Sequence, residues 1–384
     1  MSGTGRPASL VAILSACSAF AIGMGLTLPL LSLILERRGF PGSVNGLNLA
    51  TAGLAAFCVT PQVPRLMRTF GTAAFMAGCL VLSAISLIAL FEAQSLWAFL
   101  ALRFALSIGL NGLFVCSEFW INQLATEQTR GRYISLYGAC VSGGFGVGPA
   151  ILSILGTQGL TPFVAGSTML LLALIPILIA RKAAPQLDAT PGPSLLTVLR
   201  LAPAVLSASL VFGAIDAGMW GLFPVYAVRS GYSEAHAALG VTALSIGSFV
   251  FQYPLGILAD RMNRRSLLII CASTGVVGAL LAPLAIATPI ATYLLLFVWG
   301  GIIMGIYTIG LTLLGERFKA AELASANATY VMLYAVGLLC GPLVEGPALD
   351  AWNPHGLMVA LAAITAFYVL FLMVSRGSSS TART

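Results

Sequence analysis

The chain consists of two similar halves, and this internal repeat constrains its fold more than any other feature. When the sequence is shifted by 193 of its 384 positions, Tyr137 aligns with Tyr330 and Gly112 with Gly305. The pattern Gly-x-x-x-Gly-Pro at 144–149 aligns with the same pattern at 337–342. A repeat of this length indicates two copies of one structural unit, related by a pseudo-twofold axis.

The composition places both copies in a membrane. Hydrophobic residues make up 59% of the chain and charged residues only 8%, against roughly 25% charged in soluble domains. A helix that spans a bilayer needs about 20 apolar residues. The sequence predicts twelve such spans, near 8–35, 43–64, 72–92, 95–124, 133–156, 161–180, 200–228, 236–258, 266–287, 291–314, 322–346 and 356–375. The predicted fold class is therefore an all-α membrane protein with two pseudo-symmetric six-helix bundles.

The basic residues predict how the chain is oriented. Most of the 19 lysine and arginine residues fall on one side of the membrane if the chain begins on that side. The positive-inside rule then predicts that both termini are cytoplasmic, in a multi-pass protein of the bacterial inner membrane. This orientation also explains the net charge of +7, so no nucleic-acid partner is expected.

The repeat predicts where the bundles begin and end. We expect an N-terminal six-helix bundle at 1–182, a cytoplasmic linker at 183–199, a C-terminal six-helix bundle at 200–376 and a disordered tail at 377–384. The linker region is polar and rich in proline, and it lies where the repeat requires a joint. The two halves can therefore move as separate bodies.

The strongest local motif lies between the eighth and ninth spans, in the run that starts Gly256-Ile-Leu-Ala-Asp260 and continues to 265. We interpret the glycine as a point of close approach between helices. The acid is expected to face a helix N-terminus or an arginine. The residues predicted for this cytoplasmic gate are Gly256, Asp260, Arg261, Arg264, Arg265 and Glu118.

This run resembles the G-x-x-x-D-R-x-G-R-R motif of the major facilitator superfamily, with Asn263 in place of the second glycine. The resemblance covers essentially the whole chain, through the twelve spans, the repeat and the central loop. It implies a membrane transporter. The corresponding first-half loop at 61–71 keeps basic residues and a glycine but lacks the acid.

Three further patterns resemble this family. The run from Arg103 to Gly112 is similar to its intramembrane arginine motif, which implies a role in proton coupling. The Gly-x-x-x-Gly-Pro patterns are similar to its antiporter motif, which implies export, although such glycines chiefly provide a helix-packing face. The stretch Glu118-Phe-Trp120-Ile-Asn122 resembles an E-S-W-L-N sequence of a poorly characterised bacterial subgroup.

Ionisable residues at membrane depth are costly and are therefore functional candidates. Asp216 lies in the middle of the seventh span, and helical spacing places Met219, Trp220 and Phe223 on the same face. A carboxylate there can bind a proton, or hold an organic cation with Trp220 adding cation–π attraction. The alternative is a structural acid paired with a hydroxyl group or another helix.

We assign proton coupling to Asp216 and Arg103. Polar and aromatic residues on several spans must face protein or water rather than lipid. The residues predicted to line the substrate cavity are Trp220, Asn111, Phe223, Gln252, Tyr307, Tyr334 and Asn327.

These features predict a monomeric secondary active transporter that works by alternating access. We expect proton-coupled export of a small amphiphilic organic compound, with protons and membrane lipids as the other partners. The alternatives are an importer of a small organic acid or other nutrient, with Arg103 as the anion partner, and a non-transporting membrane scaffold. No cofactor, metal or enzyme activity is expected, because the seven cysteines lack metal-ligand spacing and no catalytic cluster is present.

Overall fold

The computed structural model describes residues 5–126, 129–185, 203–317 and 320–375, and these are helical almost throughout. Twelve of the helices are long and apolar enough to cross a membrane. They are α1 Arg6–Arg37, α2 Gly42–Phe70, α3 Thr72–Glu92, α4 Leu96–Leu124, α5 Arg132–Leu155, α6 Thr161–Ile179, α7 Val205–Arg229, α8 Glu234–Arg261, α9 Arg264–Ala285, α10 Pro289–Gly315, α11 Ala326–Ala351 and α12 Gly356–Val374. The predicted all-helical, twelve-span class is confirmed.

The even number of spans places both ends of the chain on one side, which we call the termini end; the opposite side is the far end. Most of the predicted linker at 183–199, and the tail at 377–384, lie outside the described residues. The division into domains at these boundaries therefore stays a prediction.

The repeat is visible in how the glycine-rich helices pack. A Cβ on Gly144 of α5 would lie 2.6 Å from the Cβ of Ala21 on α1. A Cβ on Gly337 of α11 would lie 2.9 Å from the backbone nitrogen of Ala214 on α7. Both members of the second pair lie 193 positions after those of the first. The Gly-x-x-x-Gly patterns therefore let α5 and α11 approach the first helix of their own halves, as the packing interpretation predicts.

The substitution Gly337→Ala is expected to lower the melting temperature of the detergent-purified protein by several degrees. The new Cβ would overlap the backbone carbonyl oxygen of Leu210, and overpacking of this kind typically costs about 1–3 kcal/mol. Gly256→Ala is the matched control, because nothing lies within 4 Å of a Cβ built there. Equal melting temperatures for the two variants would contradict the packing role.

Two seams join the halves along opposite sides of a central gap. In one seam, α2 packs against α11, and a Cβ on Gly53 would contact the backbone of Leu339. In the other, α8 packs against α5, and the Ser245 hydroxyl donates to the carbonyl oxygen of Ser142 at 3.2 Å. These two seams hold the halves together on either side of the central gap.

Candidate functional site

A cavity lies between the two seams, with walls from α1, α2, α4 and α5 of the first half and from α7 and α11 of the second. The empty space between its lining atoms, including the open mouth, is about 850 Å³. Most of its lining is apolar. The polar and charged lining residues are Thr60, Asn111, Glu118, Asp216 and Tyr334.

The ionisable residues that line the cavity are acidic. Its two charged lining residues are Glu118 from the first half and Asp216 from the second, and no lysine or arginine of the described ranges lines it. Carboxylates on facing walls of a largely apolar space are suited to a ligand that carries positive charge.

Asp216 is held by two aromatic hydrogen-bond donors. The indole Nε1 of Trp220 donates to Oδ1 at 2.9 Å, and the Tyr334 hydroxyl donates to Oδ2 at 2.6 Å. The Trp220 ring also packs against Phe145 of the first half, with ring centroids 5.0 Å apart. The carboxylate is therefore fixed in position at the boundary between the halves.

Aromatic rings surround the acids. In the first half, Phe20 stacks on Phe114 at 4.4 Å and meets Phe145 edge-on at 5.9 Å. All three rings line the cavity. Rings near a ligand cation attract it through their quadrupole, so the walls and the acids favour the same class of ligand.

Helix α7 departs from α-helical geometry immediately after Asp216. Gly218–Leu222 forms a π-helical turn, and Pro224 follows it, which cannot donate a backbone hydrogen bond. The wider turn changes the helical spacing, so Phe223 does not share the Asp216 face as the sequence predicted. Instead, a Cβ on Gly240 of α8 would lie 2.8 Å from the Phe223 ring.

The structure also corrects the predicted cavity lining. Asn111 and Tyr334 line the cavity, whereas Trp220 and Tyr307 stand behind it, with the Tyr307 ring 5.7 Å from that of Tyr334. Gln252 and Asn327 are exposed and lie outside the lining. Both residues lie on the parts of α8 and α11 between the cavity and the termini end. The polar faces of these two helices are therefore longer than the cavity that they border.

Arg103 lies inside the first half and not in the cavity wall. Its side chain is fully buried, and Nη1 donates to the Thr27 hydroxyl at 3.3 Å. Within the described residues, Nε and Nη2 have no hydrogen-bond partner. A ligand in the cavity therefore does not contact this guanidinium in the present state.

At the termini end, the contacts described for the predicted gate residues Asp260 and Arg265 lie within the second half. Asp260 has 79% of its side chain exposed, and its ion pair, at 3.9 Å, is to Arg264 one turn along. Arg265 donates to the backbone carbonyls of Leu372 and Ser375, in its own half. Arg261 is exposed.

Two predictions about this gate need correction. Gly256 provides no close approach between helices in this state, because a Cβ there would meet open space. Glu118, predicted to belong to the gate, instead lines the cavity together with Asp216. Glu118 is two turns from the end of α4, which leaves it at the depth of the cavity rather than at the surface.

Sequence reasoning missed a charged network that closes the far end. Arg229, at the end of α7, forms a bidentate pair with Glu36 of α1, at 2.8 and 2.9 Å. Its Nη1 lies 3.3 Å from Asp350. Asp350 in turn accepts hydrogen bonds from the backbone nitrogens of Gly42 and Ser43, at the start of α2.

A second cluster at the far end follows the pseudo-symmetry. Arg37 pairs with Glu234 of the other half at 2.5 Å and donates to the Thr157 hydroxyl at 2.6 Å. Thr157 lies 193 positions before Asp350, as Glu36 does before Arg229. The repeat was the one sequence signal that could have identified these residues. We call the two clusters the far-end gate.

Within the described ranges, the ion pairs between the halves lie at the far end. The cavity lining extends to Thr60 and Glu118 on the termini side and ends near Leu28 and Leu49 on the other. Among the described residues, the cavity therefore extends further toward the termini end than toward the far end.

Sequence comparison finds relatives along most of the chain. A family model described as Major Facilitator Superfamily matches residues 11–242 and 205–383. An uncharacterized MFS-type transporter, YfkF of Bacillus subtilis, is 26% identical over 378 residues, which are 96% of this chain and 95% of that one. Another, YcaD of Escherichia coli O6:K15:H31, is 26% identical over 285 residues, 73% of each chain.

Solved structures share the fold at low sequence identity. The nucleoside transporter NupG superimposes with a TM-score of 0.76 at 15% identity, covering 95% of this chain and 97% of that one. A D-xylose-proton symporter superimposes with a TM-score of 0.72 at 16% identity, covering 96% of each.

Proposed function

Because the chain belongs to the major facilitator superfamily, we propose that it is a secondary active transporter that exchanges protons for a small amphiphilic organic cation. It works by alternating access, with the halves rocking about the central cavity. The observation that carries this proposal is the cavity itself, with two acids, no basic lining residue among those described, and aromatic walls.

Asp216 is the proposed exchange site. A carboxylate can hold either a proton or a cation, but not both at full strength, since the proton removes its charge. The aromatic donors Trp220 and Tyr334 keep the carboxylate in place in both cases. Glu118 on the facing wall adds a second negative charge that attracts the cation into the cavity.

The proposed direction is export. The positive-inside orientation makes the termini end cytoplasmic, so the cavity in this state faces the cytoplasm of a bacterial inner membrane. A cation would enter from that side and leave when the far end opens, while protons move inward. Import of a small acid is disfavoured, because Arg103 is separated from the cavity wall.

A thermal-shift screen of the purified protein tests the ligand class. A ligand that binds the folded protein raises its melting temperature according to its saturation. Tetraphenylphosphonium and other lipophilic cations should stabilise the protein more at pH 8 than at pH 6, because protons compete at the lower pH. Small carboxylic acids, sugars, nucleosides and amino acids complete the library. Stabilisation by one of these classes, with none by cations, would overturn the proposed substrate class.

A further inference from the structure

Glu345 is a second buried acid, which the exchange proposed at Asp216 does not use. It lies on α11 and is fully buried. Neither oxygen of its carboxyl group has a hydrogen-bond partner within the described part of the chain. A carboxylate that is removed from water without compensating bonds is very costly. The buried group is therefore stable here only with its proton attached.

The carboxyl group occupies a space that a glycine provides. A Cβ on Gly218 of α7 would lie 2.8 Å from the carboxyl carbon of Glu345. Gly218 is also the first residue of the π-helical turn, and such turns within α-helices are frequent at functional sites. Any larger residue at 218 would displace the acid.

Glu345 lies beside the seam between the halves. The next residue, Gly346, contacts α2 of the first half, since a Cβ on Gly46 would lie 3.3 Å from its Cα. On the α7 side, Gly221 contacts the side chain of Leu49, also on α2. Helix α2 therefore covers the junction of α7 and α11. Far-side water would reach Glu345 only after α2 had separated from this junction.

The ionisable groups on the surrounding helices engage other partners. Asp216 on α7 is bonded to Trp220 and Tyr334, and α2 carries no acid or base between Gly42 and Val59 apart from Cys58. The charged groups at the far ends of α11, α7 and α1 are Asp350, Arg229 and Glu36, which contact one another. His355, immediately before α12, lies 3.5 Å from the Tyr226 hydroxyl. Among the described residues, none of these groups is bonded to the Glu345 carboxyl.

We propose that Glu345 is a proton-binding site that controls the far-end gate. The far end closes only when the carboxyl group carries a proton from the far-side water, and opening returns that proton to the water. This role is independent of the exchange at Asp216, because it requires neither a substrate nor that carboxylate.

The test measures the far-end separation by double electron–electron resonance between spin labels. The labels are placed at Gln94→Cys and Ala287→Cys, two exposed loop positions in different halves. Cys58, Cys140 and Cys340 are first replaced by serine, because they are accessible enough to react with the label. The four buried cysteines react poorly and can remain. Wild-type protein in nanodiscs should shift toward the short, closed distance as the pH falls from 9 to 5. The closed-to-open ratio should change about tenfold per pH unit around the midpoint, as linkage to one proton requires.

The sign of this shift distinguishes Glu345 from the gate acids. Protonation of Glu36 or Asp350 would break ion pairs and open the far end at low pH. Glu345→Gln, a neutral isostere, should hold the far end closed and reduce the pH response to less than about twofold. Glu92→Gln, which changes an exposed acid at the same end, should leave the response intact.

Three results would overturn the proposal: a wild-type distance that does not depend on pH, opening at low pH, or an unchanged pH response in Glu345→Gln. If Glu345→Gln fails to fold, the same distance measurement on Gly218→Ala tests the proposal. The Cβ of the new alanine would displace the Glu345 carboxyl group and should shift the protein toward the open far end. Cation stabilisation in the thermal-shift assay should persist in Glu345→Gln. The spin-label distance therefore tests the gate role of Glu345, and the thermal-shift assay tests the cation exchange at Asp216 separately.

Discussion

The substitution Asp216→Asn is expected to abolish stabilisation by lipophilic cations, together with its dependence on pH. The amide keeps the shape of the side chain and can still accept from Trp220 or Tyr334, but it carries no charge and releases no proton. Loss of a charge partner in a largely apolar cavity should weaken cation binding at least tenfold, or about 1.4 kcal/mol. Thermal shift and isothermal titration calorimetry at pH 6 and pH 8 measure both effects.

Asp260→Asn is the matched control for this experiment. It removes the same charge from a residue that is 79% exposed and lies outside the cavity. Cation affinity should then be that of the wild type. If Asp216→Asn and Asp260→Asn bind cations equally well, Asp216 is a structural acid held by its two aromatic donors.

Breaking the far-end gate is expected to change the conformational equilibrium. Arg229→Ala removes the bidentate pair to Glu36 and the contact to Asp350. The side chains of Arg229 and Glu36 are only 13% and 18% exposed. The pair to Glu36 joins the two halves and holds the far end closed, so the open state should gain roughly tenfold in population, equivalent to about 1.4 kcal/mol. The spin-label distance between positions 94 and 287 should lengthen accordingly.

Arg38→Ala provides the control for the gate. Arg38 lies at the same end, but it donates to the carbonyl oxygen of Ala93 within its own half and lies over the Phe99 ring. The label distance should not change in this variant. Equal lengthening in both variants would mean that a general loss of far-end packing, and not the contact between halves, controls the separation.

Features that repeat along the chain could be predicted from the sequence. The spans follow from long apolar stretches, because the bilayer sets their length. The packing role of Gly144 and Gly337 follows from their equivalent positions in the two halves. Asp216 could be singled out because an acid in the middle of a span is costly and therefore rare.

Features that depend on how distant segments meet could not be predicted. Glu36 and Arg229 each appear in sequence as ordinary charged residues at the end of a span, and only the fold places them in contact. The sequence pattern predicts Phe223 on the Asp216 face only for a regular helix, and the π turn at Gly218–Leu222 breaks that spacing. The burial of Glu345 could not be predicted, because the residue lies near a predicted span boundary, where an acid is not unusual.

The central claim is that one cavity exchanges an organic cation for protons. The most direct test reconstitutes the purified protein in liposomes that contain a pH-sensitive dye, and adds tetraphenylphosphonium in the absence of a membrane potential. The account predicts a cation-dependent proton flux in the direction opposite to cation movement, lost in Asp216→Asn and retained in Asp260→Asn. Cation movement without proton flux, or equal proton flux in wild type and Asp216→Asn, would contradict it.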